Sequence, residues 1–312
     1  MKPDKTQLFR SVVICSSGLL LLLTLSFRAQ PGDLKVSVES SCLKIPEGIY
    51  LKEIYDLAVN KKGELLVLAR GPHPISRFSS DGSYLGSFGE GLFSQVHSIT
   101  IDHHDKIWIT DVGLHAVFKL DQSGRVEMVL GRQNKEGEFY SDAVPLFNKP
   151  ADVIISENGD IFVADGYGNS RVVKFDQSGN YIKTWGVKGD GVSEFNLPHS
   201  LTIDKNQRLL VADRENGRIQ LFDLNGTYLE TWDLPGKPYC LAIDKNDFIY
   251  VTLGKAPKIL KLDPEGEILG MFGSEGKGPG QFVMPHGIET GPDNEIYIAE
   301  PINWRIEKFV LD

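Results

Sequence analysis

The chain has seven histidines, and three of them stand at one place in a recurring unit. His97 opens His97-Ser-Ile-Thr-Ile-Asp102, His199 opens His199-Ser-Leu-Thr-Ile-Asp204, and His286 opens His286-Gly-Ile-Glu-Thr290. Three neutral imidazoles that reach a common point leave a fourth ligand position open, which is the arrangement of catalytic rather than structural zinc. Cobalt, iron or manganese fit such a site too, since imidazole selects weakly among them. The competing reading is a repeat consensus in which each ring only hydrogen-bonds a neighbouring carbonyl. His73, His103, His104 and His115 fall in loops or turns, where they are expected to face solvent or to stand behind the ligands.

Arginine divides in the same way. Arg171, Arg218 and Arg305 each begin a third strand and read as partners of an Asp that links blades. Arg70 and Arg214 break that pattern: Arg70 stands at or beside the place held later by Asp111, Asp165 and Asp213, and Arg214 directly follows Asp213. Both are expected on the loop face near the metal, where arginine grips a carboxylate through two parallel hydrogen bonds. Tyr167, between Gly166 and Gly168, is a candidate acid or base, with an exposed loop aromatic as the alternative.

The elements that would position these groups are legible as a repeat. Units begin at Tyr55, His97, Ala151, His199, Tyr239 and His286, at intervals of 40 to 54 residues. Each opens with a short apolar strand, a polar turn and a second strand such as Ile161-Phe-Val-Ala-Asp165. A third strand such as Arg171-Val-Val-Lys-Phe-Asp176 and an Asp-x-x-Gly turn lead to a fourth. Four strands per unit without helical periodicity predict an all-β, six-bladed β-propeller, in which equivalent first-strand residues ring the axis. Histidine then occupies alternate blades, about 120° apart. The sixth unit has three strands before the chain ends, and Lys35-Val-Ser-Val38 is expected to supply its fourth.

Residues 1–30 read as a signal peptide or N-terminal anchor, with basic flanks and an apolar run over residues 11–27 that could hold the protein at a membrane; residues 31–312 read as the propeller. The body is therefore expected outside the cytoplasm, whether secreted, periplasmic or membrane-anchored. Net charge is −9, and the first residues are themselves basic, so the body is more acidic still and no nucleic-acid partner is expected. Cys15 lies in the export segment. Cys42 and Cys240 are free to pair in that compartment, or to be one buried thiol and one surface thiol.

The units resemble NHL repeats. Ala164-Asp-Gly-Tyr-Gly-Asn-Ser-Arg171, Phe195-Asn-Leu-Pro-His-Ser-Leu201, Val211-Ala-Asp-Arg-Glu-Asn-Gly-Arg-Ile-Gln220 and Met284-Pro-His286 resemble the peptidyl-α-hydroxyglycine α-amidating lyases. That family is a six-bladed propeller that splits an N-acyl α-hydroxyglycine into an amide and glyoxylate, with zinc on three histidines. The resemblance implies zinc ligands at His97, His199 and His286, a catalytic arginine at Arg70, a tyrosine at Tyr167, a second arginine at Arg214 and a site methionine at Met284. It implies a small-molecule or peptide substrate bearing a carboxylate. Two positions depart from the family. Gly287 replaces an Asp that helps hold a structural calcium, so calcium is not carried over, and Gly168 replaces a cysteine, so that disulfide is absent. The length leaves no room for the copper monooxygenase that makes the hydroxylated substrate, so a free-standing lyase-like propeller is expected.

Two other functions remain open on the residues alone. One is a non-catalytic extracytoplasmic scaffold or sensor that binds a protein partner on its loop face. The other is a lactonase-type hydrolase with calcium on acidic and amide ligands, against which the three histidines weigh.

Overall fold

The computed structural model describes residues 32–141 and 144–311. Residues 1–30, expected to be an export or anchor segment, lie outside the described residues. Among the described residues, no helix is long and apolar enough to cross a membrane.

Six four-stranded antiparallel sheets are present among the described residues; five are meanders of consecutive strands, and the sixth takes its outer strand from the N-terminal side. Blade 2 runs Val96–Ile101, Ile107–Asp111, Ala116–Leu120 and Val126–Gly131, and blade 4 runs Pro198–Ile203, Arg208–Asp213, Arg218–Asp223 and Tyr228–Asp233. Neighbouring first strands touch in a closed cycle from blade 1 to blade 6 and back, so they line a central axis. The ring closes as the repeat predicts. Val36–Glu39 pairs antiparallel with Arg305–Leu311, matching Val36 to Leu311 and Val38 to Phe309.

Second strands read as continuous apolar runs because both their faces are covered. Leu66 and Leu68 pack with Ile99, Ile107 and Phe118 of blade 2, whereas Leu65 and Val67 pack with Tyr297, Ala299 and Ile306 of blade 6. Strand alternation thus sends successive side chains to opposite neighbours. Outermost strands such as Val126–Gly131 alternate partly buried and exposed residues over most of their length.

The hairpin turns repeat one piece of chemistry. Asp121, Asp176, Asp223 and Asp263 each accept backbone N–H bonds from residues two and four positions later. The glycine that closes each turn, such as Gly124 at φ 86° or Gly226 at φ 76°, takes a left-handed conformation that a side chain would strain.

Candidate metal centre and catalytic site

The first strands are bent where they carry the site. Register slips fall at Ile54/Asp56, Val96/Ser98, Pro198/Ser200 and Pro238/Leu241, so Tyr55, His97, His199 and Tyr239 sit on bulges. A bulge re-aims a side chain relative to the flat strand. In blades 2, 3, 4 and 6 the loop that enters the blade is clamped by the carboxylate ending its second strand. Asp111 accepts from the N–H of Ser94 at 2.7 Å, Asp165 from Asn148 at 2.8 Å, Asp213 from Asn196 at 2.7 Å and Glu300 from Met284 at 3.1 Å. Met284 is thereby fixed by its backbone two residues before His286.

Arg171, Arg218 and Arg305 brace three of these carboxylates at 3.0, 2.8 and 3.1 Å. This corrects the expected ion pair between blades: each pair lies within one blade. The linking falls to the remaining guanidinium N–H groups, which reach loop carbonyls such as those of Leu146 and Glu194.

His97, His199 and His286 converge on the axis. Their ring centroids are 4.7, 5.0 and 5.2 Å apart, all three are buried, and one ring nitrogen from each lies within 4.8 Å of the others. Each Nδ1 faces the axial carbonyl of the next blade: His97 meets Ala151 at 2.6 Å, His199 meets Tyr239 at 2.7 Å and His286 meets Tyr55 at 2.9 Å. A carbonyl can only accept, so Nδ1 carries the proton and Nε2 keeps its lone pair. The carbonyl bonds of the competing reading are present, and they prepare the ligand tautomer instead of excluding it.

Tyr167 reaches into the same point. Its hydroxyl lies 3.0 Å from His97 Nε2 and 3.1 Å from His199 Nε2. It has one proton to donate, while three Nε2 lone pairs belong to the cluster. Such a donor set is short of positive charge, and a divalent cation fits it. Burial drives all three imidazoles below their usual pKa, His286 to about 3, with nearby charged groups adding to the effect. The neutral form is the one that binds metal. Burial also raises the Tyr167 phenol above its ordinary value, against the opposing pull of Arg214.

Tyr167 stands between glycines for a steric reason. A Cβ on Gly166 would fall 1.9 Å from the Pro198 carbonyl oxygen, and one on Gly168 would fall 2.1 Å from Asn148 Cγ. A cysteine at 168 has no room here.

Both repeat-breaking arginines join the cluster. Arg70 ends the second strand of blade 1 at the place where blades 2, 3, 4 and 6 have their loop-clamping carboxylate. Its guanidinium lies 3.6 Å above the Tyr55 ring, and its Nε donates to the Val96 carbonyl at 2.9 Å. Arg214 lies 4.8 Å from the Tyr239 ring centroid and 5.5 Å from that of Tyr167. Its Nε donates to Glu215 at 3.1 Å, and Glu215 also pairs with Lys237. Tyr55 and Tyr239, which sequence reasoning placed on the axis without a task, each support an arginine on the ring face and an imidazole on the carbonyl. Their signal was available: both occupy ring positions adjoining His286.

Residues 146–269 match the DUF5128 family model, a 6-bladed beta-propeller. A probable peptidyl-alpha-hydroxyglycine alpha-amidating lyase of Caenorhabditis elegans is 41% identical over 146 residues, 46% of this chain and 41% of that protein. The peptidylglycine alpha-amidating monooxygenase of Rattus norvegicus is 30% identical over 311 residues, 85% of this chain and 31% of that protein. NHL repeat-containing protein 3 of Homo sapiens is 35% identical over 148 residues, 45% of this chain and 42% of that protein. The chain is a six-bladed β-propeller similar to the amidating lyases and to an NHL repeat-containing protein. It spans less than half the length of these relatives.

Just past the histidines, this lyase-like propeller buries a second polar layer. Asp56 accepts the Ile99 N–H at 2.9 Å and Asp152 accepts the Leu201 N–H at 2.8 Å, each stitching its blade to the next. Burial pushes both carboxyls up, Asp152 to about 6 and Asp56 well above the usual range. Asp56 explains Gly287, because a Cβ there would lie 2.4 Å from its Oδ1 and 2.6 Å from its Cα. Beyond this layer the axis widens into a cavity of about 320 Å³ whose lining includes Thr202, Cys240 and Glu289. Cys42 and Cys240 are both buried and both free, so they do not pair and neither is a surface thiol.

Proposed function

We propose that the protein is a zinc-dependent lyase of the amidating type, cleaving an N-acyl α-hydroxyglycine to an amide and glyoxylate outside the cytoplasm. The observation that carries this reading is the convergence of three Nε2 lone pairs, their tautomer held by Nδ1–carbonyl bonds, beneath one phenol and two arginines. Relatives named peptidyl-alpha-hydroxyglycine alpha-amidating lyase point to the same reaction.

His97, His199 and His286 would hold the zinc. When bound, zinc supplies Lewis acidity that lowers the pKa of a hydroxyl beside it. The remaining steps belong to the chain. Arg70 has its Nε on the Val96 carbonyl and its terminal amino groups available for a carboxylate in a two-point grip. Arg214, held by Glu215, adds a second positive charge on the opposite tyrosine. Tyr167 would act in its ionised form, favoured by the positive charge of Arg214: its phenolate takes the proton of the substrate hydroxyl, the oxygen forms the carbonyl of glyoxylate as the C–N bond breaks, and the phenol returns that proton to the departing amide nitrogen, so that Tyr167 ends as it began. No oxidant or reductant is needed. Met284 is proposed as a wall of the site and calcium as no part of it.

Metal analysis of the wild type and His199→Ala, paired with glyoxylate release from benzoyl-α-hydroxyglycine, tests the reading. It expects one zinc per chain, lost in the variant together with turnover. Stoichiometric zinc without glyoxylate would keep the site and end the lyase assignment. A chain that binds no metal would favour a loop-face binding scaffold.

A further inference from the structure

Six aromatic rings encircle the axis, and they alternate in kind. Tyr55 stands between His286 and His97, with centroids 5.1 and 6.0 Å away. Tyr239 stands between His199 and His286 at 5.2 and 5.7 Å. Both tyrosines come from first strands, in blades 1 and 5. The third interval, between His97 and His199, belongs to blade 3, whose axial residue is Ala151. The ring in that interval is Tyr167, 5.3 and 5.6 Å from the two imidazoles, and it comes from the loop after the second strand of the same blade.

The change of origin changes where the hydroxyl goes. Tyr55 and Tyr239 offer their ring faces to Arg70 and Arg214. Tyr167, hanging in from the loop face, directs its oxygen at the Nε2 atoms. Ala151 still performs the backbone duty of the other two, since its carbonyl accepts from His97 Nδ1 and also from the Thr110 hydroxyl at 3.1 Å. Ala151 is fully buried, so a larger side chain there would leave the ligand-orienting carbonyl in place and grow into the interval that the Tyr167 ring fills. The loop that carries Tyr167 lies close against its neighbours, since a Cβ on Gly166 or Gly168 would collide with Pro198 or Asn148.

We infer that Ala151 is a positioning residue: its small side chain makes the room into which Tyr167 fits, and so selects the one interval of the ring that receives an acid–base hydroxyl. The kinetic part of this inference rests on the proposed lyase reaction; the structural part does not.

The test compares full-length wild type, Ala151→Ser, Ala151→Leu, Tyr167→Phe and the Ala151→Leu/Tyr167→Phe double variant, by crystal structure, zinc content and steady-state kinetics. Ala151→Leu is expected to keep its zinc, to move the Tyr167 ring out from between His97 and His199, and to lose at least about 100-fold in kcat, the loss of a general acid–base group. KM should stay within about 3-fold because both arginines remain, a split that general destabilisation would not produce. Ala151→Ser should match wild type within about 3-fold, and the double variant should be no worse than Tyr167→Phe. Should Ala151→Leu fail to fold, Ala151→Val carries the same comparison. A Tyr167 ring that keeps its place in the larger variant overturns the inference, as does a kcat within about 5-fold of wild type. If the wild type releases no glyoxylate, the lyase reading fails by itself and the crystal structures alone decide the role of Ala151.

Discussion

Replacing Tyr167 by phenylalanine removes one oxygen from the centre of the ring of aromatics and leaves everything that holds it. The aromatic face 5.5 Å from the Arg214 guanidinium is retained, and so are the three imidazoles and their Nδ1–carbonyl bonds. In the metal-free protein the phenol has one proton for two Nε2 acceptors at 3.0 and 3.1 Å, so only one full hydrogen bond is lost, about 1 kcal/mol. In the zinc-loaded protein the Nε2 lone pairs belong to the metal and that loss should shrink towards zero. Catalysis should respond quite differently. Losing the proton acceptor is expected to lower kcat by about 10² to 10⁴, or about 3–5 kcal/mol in the barrier, with zinc content unchanged and KM within about 3-fold. Thermal unfolding with and without chelator, zinc analysis and steady-state glyoxylate release measure the three terms separately. A variant that turns over within about 5-fold of wild type, or one that loses zinc along with activity, would refute the assignment of the phenol to proton transfer.

Other consequences follow from the packing around the axis. Burial pushes the Glu289 carboxyl up to about 7, so its share of stability is present at pH 4 and lost as pH rises through 7; Glu289→Gln should unfold at higher urea than wild type at pH 8, by about 1–3 kcal/mol, and show no such gain at pH 4. His286, driven down to about 3, contributes with the opposite sign: in the metal-free protein its share is intact above pH 6.5 and is lost as pH falls towards 3, which a pH series of urea midpoints on the chelated protein would detect. Gly287→Ala places a Cβ 2.4 Å from Asp56 Oδ1 and 2.6 Å from its Cα, so the unfolding midpoint should drop by an amount equivalent to about 1–3 kcal/mol. Glu215→Gln weakens the pair that holds Arg214 at 3.1 Å, and should raise KM several-fold with little change in kcat.

The propeller was readable from the chain because its blades are local objects. An Asp at one turn, a glycine three residues later and apolar runs between them are written within forty residues, and Asp121 or Asp223 caps its turn with partners two and four residues on. The placing of His97, His199 and His286 on one axis was readable for the same reason, since a shared repeat position becomes a shared place in the ring. What the chain did not disclose depends on contacts between blades. The tautomer of each histidine is set by a carbonyl 40 to 231 positions away. Gly287 looked like a missing calcium ligand, yet its neighbour in space is Asp56, more than two hundred positions earlier in the chain and in the adjoining blade. Arg171 and its equivalents looked like links between blades because an ion pair in sequence does not reveal which loop its remaining donors reach. The two thiols could not be assigned either, because their burial in separate cores is a property of the closed ring.

The central claim is a reaction, and the most direct measurement is its product balance. Zinc-loaded, full-length protein incubated with an N-acyl α-hydroxyglycine should form amide and glyoxylate in equal amounts, should stop when a chelator removes the metal, and should resume when zinc is restored. A protein with a full complement of zinc that leaves the substrate intact, or that releases glyoxylate without the matching amide, would contradict the account.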